Sequence, residues 1–182
     1  MNKNRFEPLF AAIDSRGELP FVTRMEILRS LSARARKELA FQVAMRVSSI
    51  WYERFPDEAT PFELLQNLYD PAAGVEDDRE TSTQLARLQN YLDEKFDCGS
   101  SFYPAIYAGY SAWCACHVLL HDESLGRTAS EEDTDPDDWG PAFYAACAYA
   151  GGAHWDVIPG DDERRRDFWN WYLSTLVELP ED

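Results

Sequence analysis

Cys114, His117 and His121 stand at i, i+3 and i+7 of one predicted helix, with Asp122 next in the chain. Thiolate, imidazole and carboxylate are ordinary zinc ligands, and one helical face can present several of them. The stronger zinc signatures, paired Cys-x-x-Cys or His-Glu-x-x-His, do not occur in the chain. These side chains therefore read as core residues, with no metal and no cofactor expected. Asp133, Asp135 and Asp137 match the first three ligand positions of a calcium loop. Asp138 then replaces the glycine such a loop needs at its turn, and Tyr144 replaces its bidentate glutamate. Gly109-Tyr110-Ser111 lacks the second glycine of a nucleophile elbow and falls inside a helix. His154 and Asp156 flank Trp155 as an acid–base pair of a kind common in turns. No glycine-rich phosphate loop is found and no catalytic residue is assigned. A binding protein is expected rather than an enzyme. The competing reading is a small helical enzyme or metal-dependent hydrolase working through Cys114, His117 and His121.

The element that would carry the Cys/His group runs from Phe102 to His121, a stretch without Asp, Glu, Lys or Arg. Ser101 can cap it, and Pro104 in its first turn forfeits no hydrogen bond. A helix that is apolar on every side has to be buried on every side. Gly109, Ser111, the alanines and two histidines make it too weakly hydrophobic for a membrane span. The other helices should pack around it, with Trp169 or Trp171, and Tyr172, against it.

Helical periodicity organises the rest. Phe6, Leu9, Phe10 and Ile13 predict a short helix over residues 5–14. Thr23-Arg24-Met25-Glu26 reads as a capping box opening one long helix, whose buried stripe runs from Met25 through Leu39 to Ile50. Arg24, Arg29, Arg34, Arg36, Lys37 and Arg46 are placed on its exposed side. Thr60-Pro61-Phe62-Glu63 predicts a helix to Tyr69. Leu85, Leu88, Tyr91, Leu92 and Phe96 predict another, closed by Cys98-Gly99. Pro141 to Ala150 stops at Gly151-Gly152. Asp161-Asp162-Glu163 opens the last helix with acid, favourable for its dipole. No strand pattern and no repeat are found. The fold class is all-α: a single domain of about seven helices over residues 1–182, built around the buried central helix 102–121.

Charge divides this domain. The chain of 182 residues carries 33 acids and 17 bases, a net charge of −16. Residues 1–54 hold 10 bases and 6 acids, and residues 55–182 hold 7 and 27, balances of +4 and −20. An acidic surface disfavours nucleic acid and anionic membrane and favours a basic partner. The basic residues of 1–54 are expected to pair with acid inside the fold or across a homodimer. Residues 122–138 hold eight acids, one base and no apolar periodicity, a loop longer than structural connections need. The start of the chain shows no apolar segment of an export signal. The four cysteines suit buried thiols in a reducing cytoplasm.

Two segments carry a family resemblance. Trp139-Gly-Pro-Ala-Phe-Tyr-Ala-Ala-Cys-Ala-Tyr-Ala-Gly-Gly-Ala-His-Trp155 is followed by Arg164-Arg165-Arg166-Asp167-Phe168-Trp169-Asn170-Trp171-Tyr172-Leu173. Together they resemble the mostly helical immunity proteins of bacterial polymorphic toxin systems, family five, most sharply over residues 100–177. The resemblance implies a cytoplasmic bacterial protein that binds and neutralises a cognate toxin; it brings no catalytic residues. Many such toxins are basic nucleases, so the acidic run is the expected docking surface: Glu131, Glu132, Asp133, Asp135, Asp137 and Asp138, with Trp139 and Phe143 as flanking aromatic anchors.

Overall fold

The central helix, Tyr103–His121, buries twelve of its residues, from Ala105 to Val118. In this computed structural model residues 7–70, 78–121 and 140–179 are described. Among them there are eight α-helices and no strand: α1 Phe21–Ser30, α2 Ala33–Arg46, α3 Ser48–Arg54, α4 Thr60–Tyr69, α5 Asp78–Phe96, α6 Tyr103–His121, α7 Gly140–Ala150 and α8 Asp162–Thr175. The all-α class expected from the sequence is what the chain adopts. Helix α6 touches α2, α3, α4, α5 and α7, so five neighbours cover an element that carries no charge along its length. Burying a large apolar side chain is worth about 1.5–3 kcal/mol, which makes this the main source of stability. Gly109 is the point of closest approach. A Cβ there would come within 2.5 Å of Leu92 Cδ2 on α5 and 2.8 Å of the Trp51 ring on α3.

The long helix expected over residues 23–50 is three helices. Leu31 turns extended (φ −95°, ψ 149°), and the Ser30 hydroxyl donates back to the Ile27 carbonyl at 2.7 Å. Ser32 then caps α2 by accepting from the Ala35 N–H at 3.2 Å. Serine side chains compete for helical backbone groups in this way. A second break falls at Val47 (φ −109°, ψ 5°). The buried stripe survives both breaks: Met25, Leu31, Ala35, Leu39, Val43 and Val47 are all in the core.

Two capping boxes do not form. Helix α1 starts at Phe21, ahead of Thr23, with no side-chain cap. At α4 the Thr60 hydroxyl donates to the Glu58 carboxylate instead of receiving from the helix, although Pro61 does sit in the first turn. Ser101 lies in a 3-10 turn, Ser100–Phe102, that leads into α6. The first predicted helix is also a 3-10 segment, Glu7–Ala12, with no buried residue. Its half-buried Leu9 and Ala12 lie at i and i+3, which a 3-10 turn superposes.

Helix α8 lies chiefly on α7 and the 3-10 segment Glu7–Ala12, and Tyr172, expected against α6, lines a cavity together with Val118 of that helix. It is capped by Asp161, whose side chain accepts from the N–H groups of Glu163 and Arg164 at 2.8 and 2.9 Å. Phe168, Trp169, Tyr172 and Leu173 are buried, while Trp171 is half-buried beneath the Arg46 guanidinium at 5.1 Å. Arg24, expected on the surface, is 5% exposed. Its guanidinium lies 5.6, 5.2 and 5.5 Å from the Phe21, Phe143 and Trp169 rings. A planar, weakly hydrated cation tolerates such aromatic surroundings.

Candidate functional site

The expected docking residues Glu131, Glu132, Asp133, Asp135, Asp137, Asp138 and Trp139 lie outside the described residues, as do the calcium-like positions and Asp122. The elements they connect are described: His121 ends α6 and Gly140 starts α7. Beside those ends lies a cavity of about 40 Å³ lined by Val118, Gly140, Pro141, Arg24, Arg36 and Tyr172, among others. Phe143 is buried, with only 4% of its surface exposed, so it serves the core rather than acting as a free anchor.

The Cys/His group runs along one face of α6 from core to surface. Cys114 is buried, His117 is half-buried edge-on against Trp113 at 4.5 Å, and His121 is exposed, its ring 6.2 Å from His117. Among the described residues no three His, Cys, Asp or Glu side chains are arranged to hold a metal ion. All four cysteines are free thiols, with Cys98 alone exposed. Burial pushes Cys116 and Cys147 well above the ordinary thiol range, which suppresses the reactive thiolate.

Both Asp156 carboxylate oxygens accept from the Tyr107 hydroxyl, at 3.0 and 3.1 Å, and Oδ2 also accepts from the Ala153 N–H at 2.7 Å. Burial first, and the neighbouring Asp156 charge second, raise the Tyr107 phenol far above its usual value. The phenol is therefore a fixed hydrogen-bond donor.

This bond pins the loop that follows α7. Helix α7 ends in two reverse bonds, Gly152 N–H to Cys147 O at 2.9 Å and Gly151 N–H to Ala148 O at 3.2 Å, with Gly151 at φ +92°. Eleven residues on, the Asp161 N–H returns to the Ala150 carbonyl at 2.8 Å and closes the loop at its base. Inside it the backbone folds tightly on itself: a Cβ on Gly160 would meet Gly152 O at 2.2 Å. Buried Arg165 fastens the same base, donating to Gly152 O at 2.9 Å and Asp162 Oδ1 at 2.8 Å, with Glu18 Oε2 3.6 Å away. At the tip, Trp155 is 50% exposed, Val157 88% and Ile158 59%. Trp155 stacks on Phe143 at 5.7 Å, so an exposed ring rests on a buried one. The clue in the sequence was Val157-Ile158, two β-branched residues between Asp156 and Pro159-Gly160 with no strand to join.

No described helix is long and apolar enough to cross a membrane. Among curated proteins, none matches the chain. The family model for immunity protein Imm5 matches residues 10–179, nearly the whole chain and well beyond the two segments that carry the resemblance. Given this match, the chain belongs to the Imm5 immunity protein family.

Proposed function

We propose that this protein neutralises a cognate toxin by binding it, and that acid on the immunity protein docks onto a basic toxin domain, such as a nuclease. The observation that carries the reading is the match to immunity protein Imm5 over residues 10–179. The charge supports its direction: −20 over residues 55–182 attracts a cationic domain from a distance and competes with its nucleic-acid substrate. Six carboxylates between Glu131 and Asp138 are the electrostatic centre of that surface, and Trp139 follows them. Binding, with no catalytic step, is sufficient for neutralisation, and the reading places the complex in the cytoplasm of the bacterium that makes the toxin.

The hydrolase reading needs Cys114, His117 and His121 together in one accessible cleft. Burial of Cys114 and exposure of His121 argue against it.

The test uses the toxin domain encoded beside this gene, carrying an inactivating substitution. Asp133, Asp135, Asp137 and Asp138 are changed together to Asn, and association and dissociation are measured across a salt series. The expected outcome is slower association with a shallower salt dependence, because surface charge acts within a Debye length of roughly 8 Å at physiological ionic strength. Unchanged association rate, affinity and salt slope would remove residues 131–138 from the docking surface.

A further inference from the structure

We propose that the tip of the 151–161 loop, Trp155, Val157 and Ile158, is the apolar anchor that seats the cationic toxin domain; this inference rests on the immunity reading above. Val157 and Ile158 are 88% and 59% exposed, and Trp155, stacked on Phe143, still leaves half its surface open, so the fold leaves this apolar surface largely uncovered. Singly exposed apolar residues are ordinary, but a grouped set on a rigid projection marks a binding surface.

The loop is built to hold its shape. Its base is closed by the Asp161-to-Ala150 backbone bond and by Arg165 on Gly152. Its middle is tied to α6 through Asp156 and Tyr107. Trp155 stands on a run of rings that continues inward through Phe143 and Tyr144 to Tyr107, with centroids 5.7, 5.9 and 6.2 Å apart. A side chain presented this way loses little further freedom on binding, so its burial converts efficiently into affinity. Tryptophan is also the residue type most enriched among binding hot spots.

The occupant follows from charge. A second copy would bring −16 against −16, and like charge opposes that association. At the base of the same loop, the chain returns through exposed Asp161, Asp162 and Glu163. An apolar tip on a strongly acidic protein, with acid at the loop's base, fits a basic domain carrying an apolar recess. Anchor and charge then divide the work: carboxylates govern the approach, and the tip governs residence.

The experiment compares the wild-type chain with Val157→Ser/Ile158→Ser, using the same inactivated toxin domain as the probe. Both side chains point largely to solvent, so the circular dichroism spectrum and urea midpoint should match wild type. The expected result is at least tenfold faster dissociation with association changed less than threefold, the reverse of the acid-to-Asn variant. Trp155→Ala should show the same kinetic pattern. Dissociation within twofold of wild type for both variants overturns the anchor while leaving the immunity reading intact. No binding by the wild-type chain sinks the immunity reading, and the anchor with it. A wild-type dimer in light scattering that the Ser/Ser variant converts to monomer assigns the tip to a second copy and also overturns the proposal.

Discussion

Tyr107, in the second turn of the central helix, donates its hydroxyl to Asp156, 49 residues away in the exposed loop after α7. The phenol is 3% exposed, and the carboxylate also receives the Ala153 N–H, so one hydrogen-bond set joins core to surface. The most deeply packed element thereby sets the position of the exposed apolar loop residues Trp155, Val157 and Ile158.

Removing that bond should loosen the loop more than the bundle. Tyr107→Phe keeps the ring contacts with Phe96 and Tyr144 and deletes only the donor. A hydrogen bond to a charged acceptor contributes about 1.5–3 kcal/mol, and a loss in that range is expected in urea unfolding. Amide exchange should accelerate at residues 153–158 by more than in α6 or α7. Equal acceleration throughout would mean that the bond supports the bundle as a whole.

Stability should fall on the alkaline side. Burial raises the thiols of Cys116 and Cys147 and the phenols of Tyr107 and Tyr172 above their ordinary values. In the unfolded chain these groups lose protons near their usual values, about 8.5 for thiols and about 10 for tyrosines, while the folded chain keeps them. The contribution is thus complete below about pH 8 and is lost as pH rises, at about 1.4 kcal/mol per pH unit for each group once its unfolded form ionises. The urea midpoint should drop between pH 8 and 10, and Cys116→Ala/Cys147→Ala should flatten the first part of the decline. A midpoint constant to pH 10 refutes this account.

Arg165 should be the costliest surface-to-core tether to lose. It is 1% exposed and bridges α8 to Gly152, to the Arg16 carbonyl at 3.3 Å and to Glu18. Breaking a buried charge pair from one side costs about 3–5 kcal/mol, and Arg165→Met should fall there because Glu18 keeps its charge. Lys cannot reproduce the forked contacts, so Arg165→Lys should recover less than half of the loss. Full rescue by Lys would reduce the tether to charge alone.

Gly109 and Leu92 should be coupled. Gly109→Ala places a Cβ 2.5 Å from Leu92 Cδ2, and overpacking of this kind costs about 1–3 kcal/mol. Leu92→Ala opens a cavity and costs about 2–5 kcal/mol by itself. The double variant should be more stable than the sum of the two losses allows, because the new methyl enters the vacated space. Strict additivity would show that the Trp51 ring, 2.8 Å from the same point, is the controlling clash.

Trp113 is the large side chain of α6 that most directly joins packing to a hydrogen bond. It is 8% exposed, and its indole N–H donates to the Leu85 carbonyl at 3.1 Å. Trp113→Ala should cost about 3–5 kcal/mol. A loss below about 1 kcal/mol would mean that α5 and α6 repack without it.

The central helix was legible in the sequence because a charge-free run of that length has no other stable place than the middle of a bundle. The closing helices were legible for related reasons: Asp161 supplies a cap, and Gly151-Gly152 supplies the positive φ that a helix stop needs. The residues now read as a binding tip were also in plain view, as Trp155 and Val157-Ile158. Periodicity could not weigh them, since exposure depends on what the rest of the chain leaves uncovered. Only the tertiary structure decided that Cys114, His117 and His121 pass from buried to exposed along α6, and that Arg24 is enclosed by three rings from three helices or their ends. It also decided that residues 23–50 break twice. A serine competing for backbone groups is a local event, but whether it ends a helix depends on the neighbours that reward the bend. Local pattern sets which residues must be buried; long-range contact sets which of the remainder meet one another and which face a partner.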